Sequence, residues 1–193
     1  MCDKSPIREN SVEDNIEIYV GRIMEELCIP VTDSNKDTPK RIAKMLNREL
    51  FVNRCNNNIG ILNSQMKMFP NEYKENEMVI VKDIPFSSMC EHHWLPMVGT
   101  VSIGYVPSDF VLGLSKFPRV VKYFSRQPQL QEHFTQQIGN YIFQILSPVA
   151  LFVEVNAEHM CVKCRGIESD CNTTTFYKKG DERYYREFRE RLK

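Results

Sequence analysis

Residues 90–94 read Cys-Glu-His-His-Trp, and two of the chain's four histidines stand side by side there. Thiolate sulfur and imidazole nitrogen are preferred zinc ligands, and a Cys-x-x-His pair such as Cys90 and His93 can offer two of them from a single turn. A second cluster, His159-Met160-Cys161-Val162-Lys163-Cys164, lies further along. Taken at face value, Cys90, His93, Cys161 and Cys164 make a closed Cys3His set, the mark of a structural zinc. If residues 150–166 form a strand, however, alternation puts His159, Cys161, Lys163 and Arg165 on one face and Met160, Val162 and Cys164 on the other. Cys161 and Cys164 then do not share an ion. Cys90, His93 and Cys161 remain as a three-ligand site with its fourth position open to water, the arrangement of catalytic zinc. His159 stands beside that metal, and Arg165 offers a cation suited to a phosphate group.

Elements able to position these residues are legible from periodicity. Apolar residues recur near helical spacing from Val12 to Leu27, and Cys28-Ile29-Pro30 ends that segment. In 37–51 Asp37 or Thr38 can cap, Pro39 fits the first turn, and Ile42, Met45, Leu46 and Leu50 form a stripe, which predicts a second helix. The Asn-rich stretch 53–76 reads as a loop or irregular link. Runs 78–86 and 98–106 are rich in β-formers and predict antiparallel strands joined by a long connection that carries the CEHHWLP segment. Ser115 can cap a helix through 117–126, and a further helix follows Pro128. Residues 150–166 predict a strand, Asn172–Tyr177 a shorter one, and 181–193 a charged terminal helix. Helices, a strand pair, helices and another strand pair predict an α+β domain with an antiparallel sheet.

A chain of 193 residues, 42% hydrophobic, can bury one ordinary core but not two large ones. We therefore expect one domain behind an N-terminal helical extension, with the boundary at 52/53 and the polar residues 1–12 frayed. Its 25 basic and 25 acidic side chains cancel, so no global field points to nucleic acid or a membrane surface, although a local basic cluster can still bind a small anion. No signal-peptide core and no apolar run near the length of a membrane span is present, which predicts a cytoplasmic protein. Seven cysteines, an odd and scattered set, suit a reducing compartment with free thiols or metal ligands better than a disulfide framework. Cys2, Cys28, Cys55 and Cys171 are expected to be ordinary thiols, and Cys164 a buried or spare one. There is no internal repeat.

With these motifs in order, the chain resembles GTP cyclohydrolase I. The resemblance runs from DTPKRIAKM through EMVIVKDIPFSSMCEHHWLPMVGTVSIGYVPSDFVLGLSKFPRVVKYFSRQPQLQEHFTQQI to HMCVKCRGI. It implies the tunnelling fold, a toroidal homodecamer with active sites at subunit interfaces, and conversion of GTP and water to formate and 7,8-dihydroneopterin triphosphate. It also implies roles residue by residue. Cys90, His93 and Cys161 match the Zn2+ ligands, and His92 and His159 match histidines that move protons around the purine ring. Gln131 and Glu132 match a pair at the guanine edge, where a carboxylate can accept from the ring N–H and amino group together. Ser115, Lys116, Arg119 and Arg165 match triphosphate contacts, joined by Arg41 and Lys44, one helical turn apart.

The chain departs from the family's pattern at His133, where an arginine is common, and at CNTTTFYKKG, a reduced Ser/Thr-rich strand carrying Lys178 and Lys179. Two rival readings bear on the same residues. A nitrile reductase of queuosine synthesis shares the fold and a guanine-reading glutamate, but uses a catalytic cysteine with NADPH and lacks the CEHH and H-x-C set. An inactive or structural zinc-binding homologue would leave Gln131, Glu132 and the basic residues without a purpose. The resemblance places the product at the first step of pterin biosynthesis, for tetrahydrofolate, tetrahydrobiopterin or a deazaguanine base.

Overall fold

Fifteen residues, Val12–Glu26, form α1, and its start is fixed by a reciprocal cap in which Ser11 Oγ accepts from the Asp14 N–H and the Asp14 carboxylate accepts from the Ser11 N–H. The computed structural model describes residues 11–54 and 58–193. Of the stretch expected to fray, Ser11 and Val12 are thus the ordered beginning of a helix, while residues 1–10, with Cys2, and likewise Cys55, lie outside the described residues. Cys28, at φ +53°, turns the chain away after α1. Next come α2, Thr38–Met45, with Pro39 in its first turn, and a π-helical turn over Leu46–Leu50. The turn presents Arg48, whose Nη2 donates to Glu13 Oε2 at 2.7 Å and ties α2 back to α1.

The stretch expected as an irregular link holds α3, Ile59–Gln65, and β1, Met68–Pro70. Asparagine enrichment concealed both, although Ile59, Leu62 and Met66 pack on the core and Asn53 is itself buried, its amide donating to the Tyr123 carbonyl at 2.9 Å. β2, Val79–Cys90, and β3, Pro96–Val106, are longer than their apolar runs suggested. The strand continues through Cys90 itself, so the expected long connection is a five-residue turn, Glu91–Leu95. β4, Phe110–Leu112, pairs with β1, and α4, Lys116–Ser125, follows. β5, Pro128–Gln129, leads into α5, Gln131–Leu146. The remainder is β6, Ala150–His159, α6, Met160–Lys163, β7, Asn172–Lys179, and α7, Glu182–Arg191.

Five strands form one sheet in the order β5-β2-β3-β6-β7, antiparallel except for β5 on β2. This is the expected α+β arrangement. α4 and α5 cover one face, where Phe86, Val101, Ile103, Val153 and Val155 meet Phe117, Val120, Phe134, Ile138 and Ile142. α7 covers part of the other face, seating Phe188 on Phe152, Met78 and Val106. Along α5 the residues 131, 135 and 139 lie one above another, and they run beside Thr173, Thr175 and Tyr177 of β7. A Cβ at Gly139 would stand 2.2 Å from the Tyr177 ring, so only glycine lets helix and strand approach this closely. β7 pairs with β6 along its whole length, Lys178 and Lys179 included. Among the described residues no helix is long and apolar enough to cross a membrane.

Candidate metal centre and active site

Register brings the chemistry to one end of the sheet. Ser88 pairs with Met97, and Met97 with His159. Two-residue alternation from the buried Ile84 and Phe86 puts Cys90 on the helix-covered face, and the same alternation from Val155 and Ala157 puts His159 there. β5 closes the edge, with Gln129 opposite Cys90 and the Glu91 N–H donating to the Gln129 carbonyl at 3.0 Å. The N-terminus of α5 stands over this end, so Gln131 and Glu132 arrive beside the three strands.

The turn after β2 aims the next ligand. Cys90 N–H donates to Leu95 O and Trp94 N–H to Cys90 O, both at 2.9 Å, while Trp94 adopts φ +51° and stacks edge-on against Phe51, ring centroids 5.2 Å apart. His93 Nδ1 comes to 3.9 Å from Cys90 Sγ. Cys161 completes the group, and the ligand atoms of Cys90, His93 and Cys161 lie within 4.8 Å of one another. Tetrahedral zinc with ordinary bond lengths sets neighbouring S and N ligands about 3.6 Å apart, so the trio fits that ion. The donor chemistry agrees: burial first, then the neighbouring Cys90, push the Cys161 thiol up, and two sulfurs this close favour both thiolates only around a cation.

Strand alternation does not carry Cys161 into the site, as the sequence led us to expect. β6 ends at His159, and Met160–Lys163 is a helical turn, so the expected common face of His159, Cys161, Lys163 and Arg165 does not exist. Cys164 is left out for another reason, since its thiol donates back to the Met160 carbonyl at 2.8 Å and is exposed. Lys163 holds the turn in place through Glu158 and Asp170, at 2.9 and 3.0 Å. Cys28, Cys90, Cys161, Cys164 and Cys171 are free thiols.

His159 is half-buried, and burial pulls its imidazole below the usual range while the Glu132 carboxylate pulls the other way. His92 is exposed, 3.8 Å from Glu91 and edge-on to His93. Glu132 is exposed in the first turn of α5. Gln131, by contrast, is buried at 1% exposure. Its Nε2 faces Val155 O, Thr173 O and Thr175 Oγ1 at 3.0, 2.9 and 3.2 Å, and its Oε1 faces His159 Nε2 at 2.7 Å. Both polar atoms of the Gln131 side chain, expected with Glu132 at the guanine edge, are thus engaged within the fold. His133 is exposed.

Of the basic residues, Arg165 lies close enough for its charge to act on the Cys161 thiol, whereas the others stand on elements apart from the Cys90, His93 and Cys161 cluster. Ser115, at the cap position without a capping bond from its side chain, Lys116 and Arg119 sit at the start of α4. The end of α4 leads through Arg126 into β5 beside Cys90, and a ten-residue helix is about 15 Å long. Arg119 reaches Gln65 at 3.3 Å. Arg41 and Lys44 are exposed on α2, and Arg165 is exposed just past α6. Sequence reasoning overlooked Thr135, Thr173 and Thr175, which hold Gln131; the signal was the two-residue spacing of the threonines against the four-residue spacing of α5.

Residues 17–192 match the family model for GTP cyclohydrolase I. The chain belongs to the GTP cyclohydrolase I family. A relative from Streptococcus agalactiae named GTP cyclohydrolase 1 is 43% identical over 183 residues, covering 91% of this chain and 94% of that protein. One of the same name from Yersinia pseudotuberculosis is 35% identical over 178 residues, covering 89% and 79%. The solved archaeosine synthase QueF-Like in the apo form gives a TM-score of 0.45 at 18% identity, over 56% of this chain and 98% of that one. Family membership makes this chain an enzyme of the GTP cyclohydrolase I kind, and its mixed sheet and helices agree with that family's tunnelling fold.

Proposed function

We propose that the chain is a zinc-dependent cyclohydrolase that opens the guanine ring of GTP at C8, releases formate and delivers 7,8-dihydroneopterin triphosphate, the first step of pterin biosynthesis. The observation that carries this reading is the convergence of Cys90, His93 and Cys161 within 4.8 Å at the sheet end that also holds His159 and the start of α5. Zinc, when bound by those residues, supplies a Lewis acid that brings a water towards neutral pKa for attack on C8. His159 exchanges a proton with N7 as charge develops there, and the exposed His92 handles a second proton during ring opening or formate release. Glu132 accepts from the guanine N–H and amino group and fixes the base in register. Ser115, Lys116, Arg119, Arg165, Arg41 and Lys44 take the triphosphate, with Ser115 and Lys116 at a helix start suited to an anion.

Because α4 spans about 15 Å from its Lys116 start to the end that leads into β5 beside Cys90, one GTP is best served by the metal end of one subunit, with its Arg165, and the α4 start of another. This supports a homo-oligomer with interfacial sites, a decamer in the family's manner, built from a helical extension over 1–52 and a catalytic domain over 53–193. A cytoplasmic location suits a site whose two thiol ligands must stay reduced. The test is GTP turnover by zinc-loaded protein, following formate and the fluorescent oxidised pterin together beside a chelated sample. Zinc-dependent release of both is expected. Intact GTP after incubation with the zinc-loaded oligomer would refute the reading.

A further inference from the structure

We propose that Gln131 is a positioning residue that holds His159 with its resting proton on Nε2 and leaves Nδ1 bare, as the nitrogen that takes up the proton released by the attacking water and passes it to the substrate. The orientation of the Gln131 amide follows from what surrounds it. The backbone carbonyls of Val155 and Thr173, at 3.0 and 2.9 Å, can only accept, so the NH2 group must face them. Oε1 therefore faces His159 Nε2 at 2.7 Å, and an amide oxygen can only accept, so Nε2 carries the hydrogen.

A closed ring of hydroxyls reinforces this orientation. Thr135 Oγ1 donates to the Gln131 carbonyl at 2.7 Å. With its hydrogen so placed, Thr135 can only accept from Thr175 Oγ1, also at 2.7 Å. Thr175 in turn has no hydrogen left for Gln131 and can only accept from its Nε2, sharing at 3.2 Å one of the two amide hydrogens with a carbonyl. Reversing the amide would set its oxygen against two carbonyls and leave the ring unsatisfied, a costly arrangement for a side chain at 1% exposure. The threonine strand near the C-terminus thus reaches the reacting histidine through one glutamine, and the Gln-Glu pair divides its work: Gln131 orients His159 while Glu132 faces the ligand.

The catalytic meaning of this arrangement rests on the proposed role of His159, but the position of its proton does not, and the experiment separates the two. The zinc-loaded full chain is labelled with 15N-histidine, and the ring nitrogens of His159, assigned by their loss in His159→Asn, are read by solid-state NMR without GTP. The pattern of a neutral ring protonated at Nε2 is expected; protonation at Nδ1 overturns the proposal. In Gln131→Leu the signal should become a mixture of both ring forms, with kcat lowered about 10- to 100-fold, as for other partners that orient a functional histidine, and KM for GTP little changed. An unaltered ring pattern, or a loss confined to KM, would return Gln131 to the guanine edge and overturn the proposal. Should Gln131→Leu fail to fold, the wild-type spectrum still decides. Wild-type protein that shows the Nε2 pattern but no GTP turnover would refute the functional reading alone.

Discussion

Replacing Trp94 with glycine is expected to leave a more stable protein than replacing it with alanine, the reverse of the usual order. Trp94 stands at φ +51°, and the left-handed region costs a residue with a Cβ about 1–2 kcal/mol. Alanine keeps that cost and glycine removes it. Against this, glycine adds about 0.5–1 kcal/mol of unfolded-state freedom, so the balance favours glycine by about 0.5–1 kcal/mol. Both variants lose the edge-on contact with Phe51, whose centroid lies 5.2 Å away and which is worth about 0.5–1.5 kcal/mol; that term cancels in the comparison. Since Trp94 is the only tryptophan, unfolding is followed by far-UV circular dichroism in urea, at equal subunit concentration and without zinc. The same turn carries His93, so glycine should also bind zinc at least as tightly as alanine in competition with a chromophoric chelator. Glycine equal to or below alanine in stability would refute the argument that the backbone, rather than the indole, is under strain here.

Cys161→Ser should abolish tight zinc binding and turnover together, whereas Cys164→Ser should leave both intact, because Cys164 Sγ is turned back to Met160 O; metal content by mass spectrometry distinguishes them. Gly139→Ala should destabilise by about 1–3 kcal/mol through overpacking despite its better helix propensity, since the new methyl group meets the Tyr177 ring at 2.2 Å, and a lowered thermal midpoint would report it. Arg48 and then Asn47 hold the Glu13 carboxyl at about 2. A carboxyl depressed in this way stabilises above its ordinary range, and the benefit disappears as pH falls through the folded value. The difference in urea midpoint between wild type and Glu13→Gln should therefore shrink from about pH 5 towards pH 2, and a constant difference would count against the Arg48 link.

Much of the fold was legible because it rests on local periodicity. The stripe of α1, Pro39 in the first turn of α2, and the β-rich runs of β2 and β3 each announce an element within a dozen residues. Cys90, His93 and Cys161 were legible as ligands from residue type, spacing and the family resemblance. Their meeting was not, because the reason offered, alternation along one strand, fails where β6 gives way to α6 at Met160. Cys161 reaches Cys90 and His93 from a helical turn held by Lys163, and that depends on Glu158 and Asp170 pairing with it.

What the sequence by itself determined was the inventory: an α+β chain, a thiolate and imidazole donor set, a carboxylate beside a glutamine, and scattered cations. Which of these act together was decided by tertiary structure. β3 between β2 and β6 brings Cys90 and His159 to one end of the sheet, although they are far apart along the chain. The different settings of Gln131 and Glu132 were decided in the same way. Both side chains can hydrogen-bond a purine, but neighbouring helix residues point in different directions, so α5 turns Gln131 into the sheet and Glu132 out of it. Thr173 and Thr175 of β7 then occupy the donors of Gln131, and no local pattern in the sequence records that contact.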